Sequence, residues 1–104
     1  MTSILPPVHP GEILREDYLL PLGMSAGALA RKLGVPRTRI ERLATEQSPV
    51  TTDTALRLAK FFKTTPQFWL NLQTSYDIKI TLPALRDELA SIPEIESRDT
   101  PVAA

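Results

Sequence analysis

The sequence predicts an all-α protein: a five-helix bundle whose second and third helices form a helix-turn-helix, followed by a short C-terminal extension. Three observations predict it. Apolar residues recur at helical spacing through most of residues 9–76. Helix punctuation recurs at Pro10-Gly11-Glu12, Ser25, Pro36, Thr52 and Thr65-Pro66, with Gly34 as a sharp turn between the second and third segments. A chain of 104 residues makes one domain, large enough for a modest helical core and too small for a second.

The first helix opens at His9-Pro10-Gly11-Glu12, with Glu12, Glu16 and Asp17 early, where the helix dipole favours anions, and Pro21 is expected to close it. Ser25 is a natural N-cap for the second helix, and Ala26, Leu29, Ala30 and Leu33 form a narrow apolar stripe at i, i+3, i+4 and i+7. Small Ala30 lets a neighbouring helix approach. Gly34 follows the last stripe residue, where a left-handed backbone costs glycine nothing, and Val35 plugs the corner. Pro36 suits the first position of the third helix, since its fixed φ fits and its missing N–H would have had no intrahelical partner there.

At about 100° per residue, Pro36, Ile40, Leu43 and Ala44 gather on one face of that third helix, while Thr38, Arg42 and Thr45 point the opposite way. Arg37 and Glu41 lie on one shoulder and Arg39 on the other. The outward face is polar and mostly basic. Arg37, Thr38, Glu41, Arg42 and Thr45 can project into a major groove, where arginine pairs with guanine O6 and N7 and threonine meets a base edge or a thymine methyl. Base readout rests chiefly on Arg37, Thr38 and Arg42. Arg31, Lys32 and Arg39, with Ser25 and Gln47, are the residues expected to hold phosphate and position the protein on the duplex. The plain alternative is a solvated helical face, since charged outer faces and glycine-joined helical hairpins occur in many bundles; three arginines on this face after this turn favour DNA.

Thr52 caps a fourth helix with Asp53 in its first turn, Ala55, Leu58, Ala59 and Phe62 as its inner stripe, and Lys60 and Lys63 near its end. Thr65-Pro66 starts a fifth, with Phe68, Trp69, Leu72 and Tyr76 on one side. The segment DIKITL at 77–82 alternates like a strand and equally continues the preceding helix. A strand there would have no partner in a helical monomer and would pair with its copy in a second subunit. Pro83 is expected to start a further short helical stretch, and from Ile92 onward acids, prolines and small residues suggest a disordered tail of roughly 12 residues.

Net charge is zero, yet it is unevenly spread. From Ser25 to Tyr76 eight basic residues face three acids, while both flanks are acidic, so the basic middle coincides with the helix-turn-helix. No cysteine is present, which removes disulfides and thiolate metal sites and suits a reducing compartment. The start MTSILPPV lacks a basic n-region and a long apolar run, and no 18-residue apolar stretch follows, so a cytoplasmic protein without a membrane partner is expected.

Taken together, His9-Pro10-Gly11-Glu12-Ile13-Leu14, Leu29-Ala30 with Leu33-Gly34-Val35-Pro36, Thr54-Ala55-Leu56-Arg57-Leu58-Ala59, and Pro66-Gln67-Phe68-Trp69-Leu70-Asn71-Leu72-Gln73 with Tyr76-Asp77 resemble the HigA antitoxin family. This is a VapI-like branch of the XRE-type, lambda-repressor-like helix-turn-helix proteins. The resemblance spans about residues 8–78, and FWLNLQ with the following YD is its most specific part. It implies a five-helix lambda-repressor-like DNA-binding domain at 9–76, an N-terminal arm at 1–8 and an extension at 77–104. It further implies a homodimer that binds double-stranded DNA at an inverted-repeat operator, represses its own operon and neutralises a HigB-like toxin, a ribosome-associated mRNA endonuclease. Two departures stand out. The family's basic Asn-Gly-Lys-Arg loop is replaced here by Thr45-Glu46-Gln47-Ser48-Pro49, which predicts weaker or less salt-sensitive binding, and Ala26 stands where related repressors carry a glutamine that touches the DNA backbone.

No cofactor, metal or enzymatic activity is expected. His9, the only histidine, has no cysteine or second histidine to work with and reads as a capping or packing residue. Phe61, Phe62, Phe68 and Trp69 could form a base-stacking platform, but their helical spacing beside Leu70 and Leu72 points to core or dimer interface. Two other function classes stand beside the antitoxin: a stand-alone regulator of the same fold, and a protein-interaction module that has lost DNA binding. Helix one and the terminal segments are, by elimination, the surfaces open to a toxin.

Overall fold

In the computed structural model, which describes residues 6–96, every element is helical. The first helix, α1, runs over residues 10–22 as three consecutive pieces, Pro10–Ile13, a π-helical Leu14–Leu19, and Leu20–Leu22. His9 caps it, its Nδ1 accepting the Gly11 N–H at 2.9 Å. Pro21 does not end this helix as expected. It lacks the N–H that would bond the Asp17 carbonyl, its ring crowds that carbonyl, and the preceding turn is widened, so that the Leu20 N–H bonds Arg15 O instead of Glu16 O. Gly23, left-handed at φ 60°, ends the helix two residues later.

Helix α2 is Ala26–Leu33 and α3 is Arg37–Ala44, with Gly34 between them at φ 72°. The Gly34 and Val35 N–H groups return to Arg31 O and Ala30 O, closing the end of α2 before the chain turns into α3. Pro36 is the N-cap of α3 rather than its first helical residue: its ψ of 144° is extended, and Arg37 begins the helix. Helix α4, Thr52–Phe62, is capped by Thr51, not Thr52, the Thr51 hydroxyl accepting the Thr54 N–H at 3.3 Å. The fifth helix, α5, is Pro66–Ala90, capped by Thr65 and continuous for 25 residues.

That continuity settles the ambiguous 77–82 segment as helix, and Pro83 lies inside α5 rather than at the start of a new one. Pro83 leaves the carbonyl of half-buried Lys79 without its usual donor, just before residues 81–90, which are all exposed. Among the described residues there is no strand. Of the expected disordered tail, 92–96 is described as non-helical and exposed, and 97–104 lies outside the described residues, as does 1–5 of the N-terminal arm.

The core gathers one face from each helix: Leu14 and Leu19, Leu29 and Leu33, Ile40 and Leu43, Ala55 and Leu58, and Trp69. Trp69 is fully buried against Tyr18 and Phe62, with ring centroids 5.2 and 6.3 Å away, and its indole N–H donates to Thr64 Oγ1 at 2.9 Å. A fully buried ring cannot stack a nucleobase, so Trp69 is core.

Candidate nucleic-acid interface

The same packing that buries Ile40, Leu43 and Ala44 turns the opposite side of α3 outward. All ten residues expected to touch DNA are exposed: Arg37, Thr38, Glu41, Arg42 and Thr45, and Ser25, Arg31, Lys32, Arg39 and Gln47. Their individual partners differ. Arg37 lies over Gly27, where a β-carbon would stand 3.0 Å from its Cδ, and its Nε pairs with Glu41 at 3.3 Å one helical turn along. Arg37 and Glu41 thus present themselves as a pair rather than as two separate readers. The Thr45 hydroxyl folds back on its own helix, donating to Glu41 O at 2.8 Å with Arg42 O 3.3 Å away. Ser25 spends its hydroxyl oxygen on the Ala28 N–H at 3.0 Å. Arg42, Arg31 and Lys32 make no ion pair among the described residues.

Four residues to which the sequence alone assigned no such role, Arg15, Glu46, Asp53 and Arg57, hold this face in place. Arg15, on α1, donates to the Ala44 carbonyl at the end of α3 and pairs with Glu46 at 3.2 Å, so a side chain from 29 residues away caps the reading helix. Glu46 sits at φ 66°, a left-handed conformation that glycine adopts more readily than a residue with a β-carbon, and its bond to Arg15 helps hold it there. Asp53 and Arg57, at i and i+4 on α4, pair at 2.8 Å; Asp53 also receives Arg39 at 2.7 Å, and Arg57 donates to Leu33 O at 2.7 Å. The i, i+4 spacing of Asp53 and Arg57 was legible; the reach from Arg15 to Ala44 was not.

The loop after α3 is anchored from behind. Val50 N–H donates to Gln73 Oε1 at 2.7 Å, and Gln73 is oriented by donating to Asp77 Oδ1 at 2.9 Å. His9 packs edge-on against Tyr76, with centroids 4.8 Å apart. Burial pushes the His9 imidazole below its ordinary pKa of 6.5, against the opposing pull of Glu46 and Asp77.

A glycine turn, a second helix with its apolar side buried and its cationic side exposed, and two further helices bracing it define a helix-turn-helix protein. The helix-turn-helix family matches residues 14–69. Virulence-associated protein I of Dichelobacter nodosus is 54% identical over 76 residues, 73% of this chain and 70% of that protein. Antitoxin HigA-1 of Vibrio cholerae is 35% identical over 82 residues, covering 79% and 77%. Among solved structures, the Pseudomonas aeruginosa antitoxin HigA with the higBA promoter superposes with a TM-score of 0.82 at 36% identity, over 86% of this chain and 99% of that one. This chain belongs to the HigA, VapI-like branch of the helix-turn-helix family.

Proposed function

We propose that this protein is a sequence-specific DNA-binding antitoxin that represses its own operon and neutralises an mRNA-cleaving, HigB-like toxin, acting by binding rather than by catalysis, in the cytoplasm. The observation that carries the DNA half is the presentation of α3: its buried face is fixed by Ile40 and Leu43 while Arg37, Thr38 and Arg42 stand clear. The toxin half is supported by the likeness to antitoxin HigA-1, and α1 and the terminal segments are the surfaces proposed for it. Residues 9–76 form the DNA-binding unit, with 1–8 as an arm and 77–104 as the extension.

A homodimer reading an inverted repeat is supported by the far half of α5. Ile78, Leu82, Leu85 and Leu89 recur at intervals of four, three and four residues and are all exposed, the pattern of a helix seam that a second helix covers. Within the dimer, Arg37, Thr38 and Arg42, with Glu41 and Thr45, read bases, whereas Ser25, Arg31, Lys32, Arg39 and Gln47 meet phosphate. No helix among the described residues is long and apolar enough to cross a membrane.

Titration of the protein against its own upstream DNA and a scrambled duplex of equal length, followed by fluorescence anisotropy at two salt concentrations, tests this reading. Operator preference with salt-dependent affinity is expected, and Arg42→Ala should cost about 1–3 kcal/mol on the operator and little on scrambled DNA. An Arg42→Ala protein that kept full operator preference would remove Arg42 from base readout. Absence of preference in the unsubstituted protein would leave a partner-binding module as the better account.

A further inference from the structure

Arg39 differs from the other arginines of α3 in being held by an acid from another helix. Asp53 Oδ1 accepts from Arg39 Nη1 at 2.7 Å and from Arg57 Nε at 2.8 Å, so one carboxylate oxygen serves two guanidinium groups. Arg57 is fixed independently through its bond to the Leu33 carbonyl at the end of α2. The cluster is open to solvent, with the Asp53 and Arg39 side chains 56% and 42% exposed. An exposed pair of this kind adds little to stability. Its effect is on the field outside the protein: a phosphate that approaches Arg39 meets a cation already neutralised and an anion beside it.

We propose that Asp53 is a specificity-determining residue, a built-in rival to DNA phosphate that weakens the sequence-independent hold of Arg39 and leaves operator choice to Arg37, Thr38 and Arg42. This rests on the DNA-binding reading above. Phosphate contacts gain affinity by releasing counterions from the duplex, and they gain it on any sequence. An arginine tied to a fixed carboxylate returns less of that gain. Because α4 starts beside the reading helix, Asp53 acts at the edge of the interface without occupying a base-reading position. Its carboxyl is held below the usual range first by Arg57 and then by Arg39, so it stays charged throughout the neutral range.

The test compares the full-length protein with D53N, D53S, R39A and R39A/D53N on the upstream duplex and its scrambled counterpart, at about 50 and 200 mM salt. D53N and D53S should tighten binding to scrambled DNA more than to the operator, lowering the preference ratio. Their log affinity should fall more steeply with log salt by about 1 per protomer, an additional loss of about 3-fold per protomer across that salt range. In the R39A background the Asp53 substitution should change neither slope nor preference. Circular dichroism controls for folding, since both neutral variants keep the Arg57–Leu33 bond and the Thr51 cap. If the unsubstituted protein prefers its operator while folded D53N and D53S match it in slope and preference, or if their effects persist without Arg39, the inference is overturned alone. If the unsubstituted protein binds both duplexes equally, the DNA reading falls and takes the inference with it.

Discussion

At the scale of single residues, the tightest constraint is Gly11. A β-carbon there would lie 1.8 Å from the Leu43 carbonyl oxygen, closer than any non-bonded contact, so the start of α1 rests directly on the backbone of α3. Gly11→Ala must push the two helices apart, and a loss of about 1–3 kcal/mol or more in unfolding free energy is expected from chemical denaturation. The neighbouring His9 makes a pH-dependent contribution. Its buried, neutral imidazole accepts the Gly11 N–H, and its folded-state pKa lies below 6.5. Protonation therefore favours the unfolded chain: stability is complete above about pH 6.5 and is lost as pH falls through that value toward the lower folded pKa. Thermal melts should show a midpoint that drops between about pH 7.5 and 5.5, and His9→Asn, which can still cap the helix, should flatten that part of the profile. An unchanged slope in His9→Asn would rule out His9 as the source of the dependence.

At the scale of elements, what could be read from the chain was the interior of each helix; what could not be read were contacts made across long sequence separations. Of the stripes Ala26-Leu29-Ala30-Leu33 and Pro36-Ile40-Leu43-Ala44, all are buried as their spacing requires except half-buried Ala26 at the start of its helix and exposed Pro36, which caps rather than joins its helix. Helix ends moved by a residue or two wherever two candidates stood side by side, as with Thr51 and Thr52, because both can cap and only the path of the preceding loop chooses. Pro21 and Pro83 misled for a different reason. A proline is costly inside a helix, yet α1 absorbs one with a widened turn and α5 carries the other on an exposed stretch. The alternation of Ile78, Ile80 and Leu82 imitated a strand only while Leu85 and Leu89 were left out of the pattern. The exposed positions of Arg37, Thr38 and Arg42 were legible, but the Asp53 clamp on Arg39 and the Arg15 cap on α3 were not, since no local rule links residues 14 or 29 apart. The FWLNLQ and YD residues gain a physical meaning here: Trp69 fills the core, Gln73 and Asp77 hold the loop behind the reading helix, and Tyr76 braces His9.

At the scale of the whole molecule, the described chain measures 54 × 26 × 22 Å with a radius of gyration of 17.5 Å. A compact chain of this length would have a radius near about 13 Å. The excess comes from α5, whose residues from 81 onward are all exposed to the end of the helix. Apolar side chains on a projecting helix are unfavourable in water unless another surface covers them. Leu82→Asp with Leu85→Asp should convert the proposed dimer to a monomer in light scattering at micromolar concentration. It should leave far-ultraviolet circular dichroism nearly intact and weaken operator binding by far more than binding to an isolated half-site. A protein that is monomeric before substitution would instead assign this row to a different partner.

The unbroken run of α5 through residue 77 also makes it a ruler. Each residue of a helix advances the chain by about 1.5 Å and turns it by about 100°. In the proposed dimer, the length and winding between Trp69, locked in the core, and Leu82, on the seam, would fix both how far apart and at what phase the two copies of α3 meet the duplex. One alanine inserted near Lys79 would leave every contact within each bundle untouched and point one reading helix away from the groove that its twin occupies. The spacing of the operator's two halves would then be written in the number of residues along this rod.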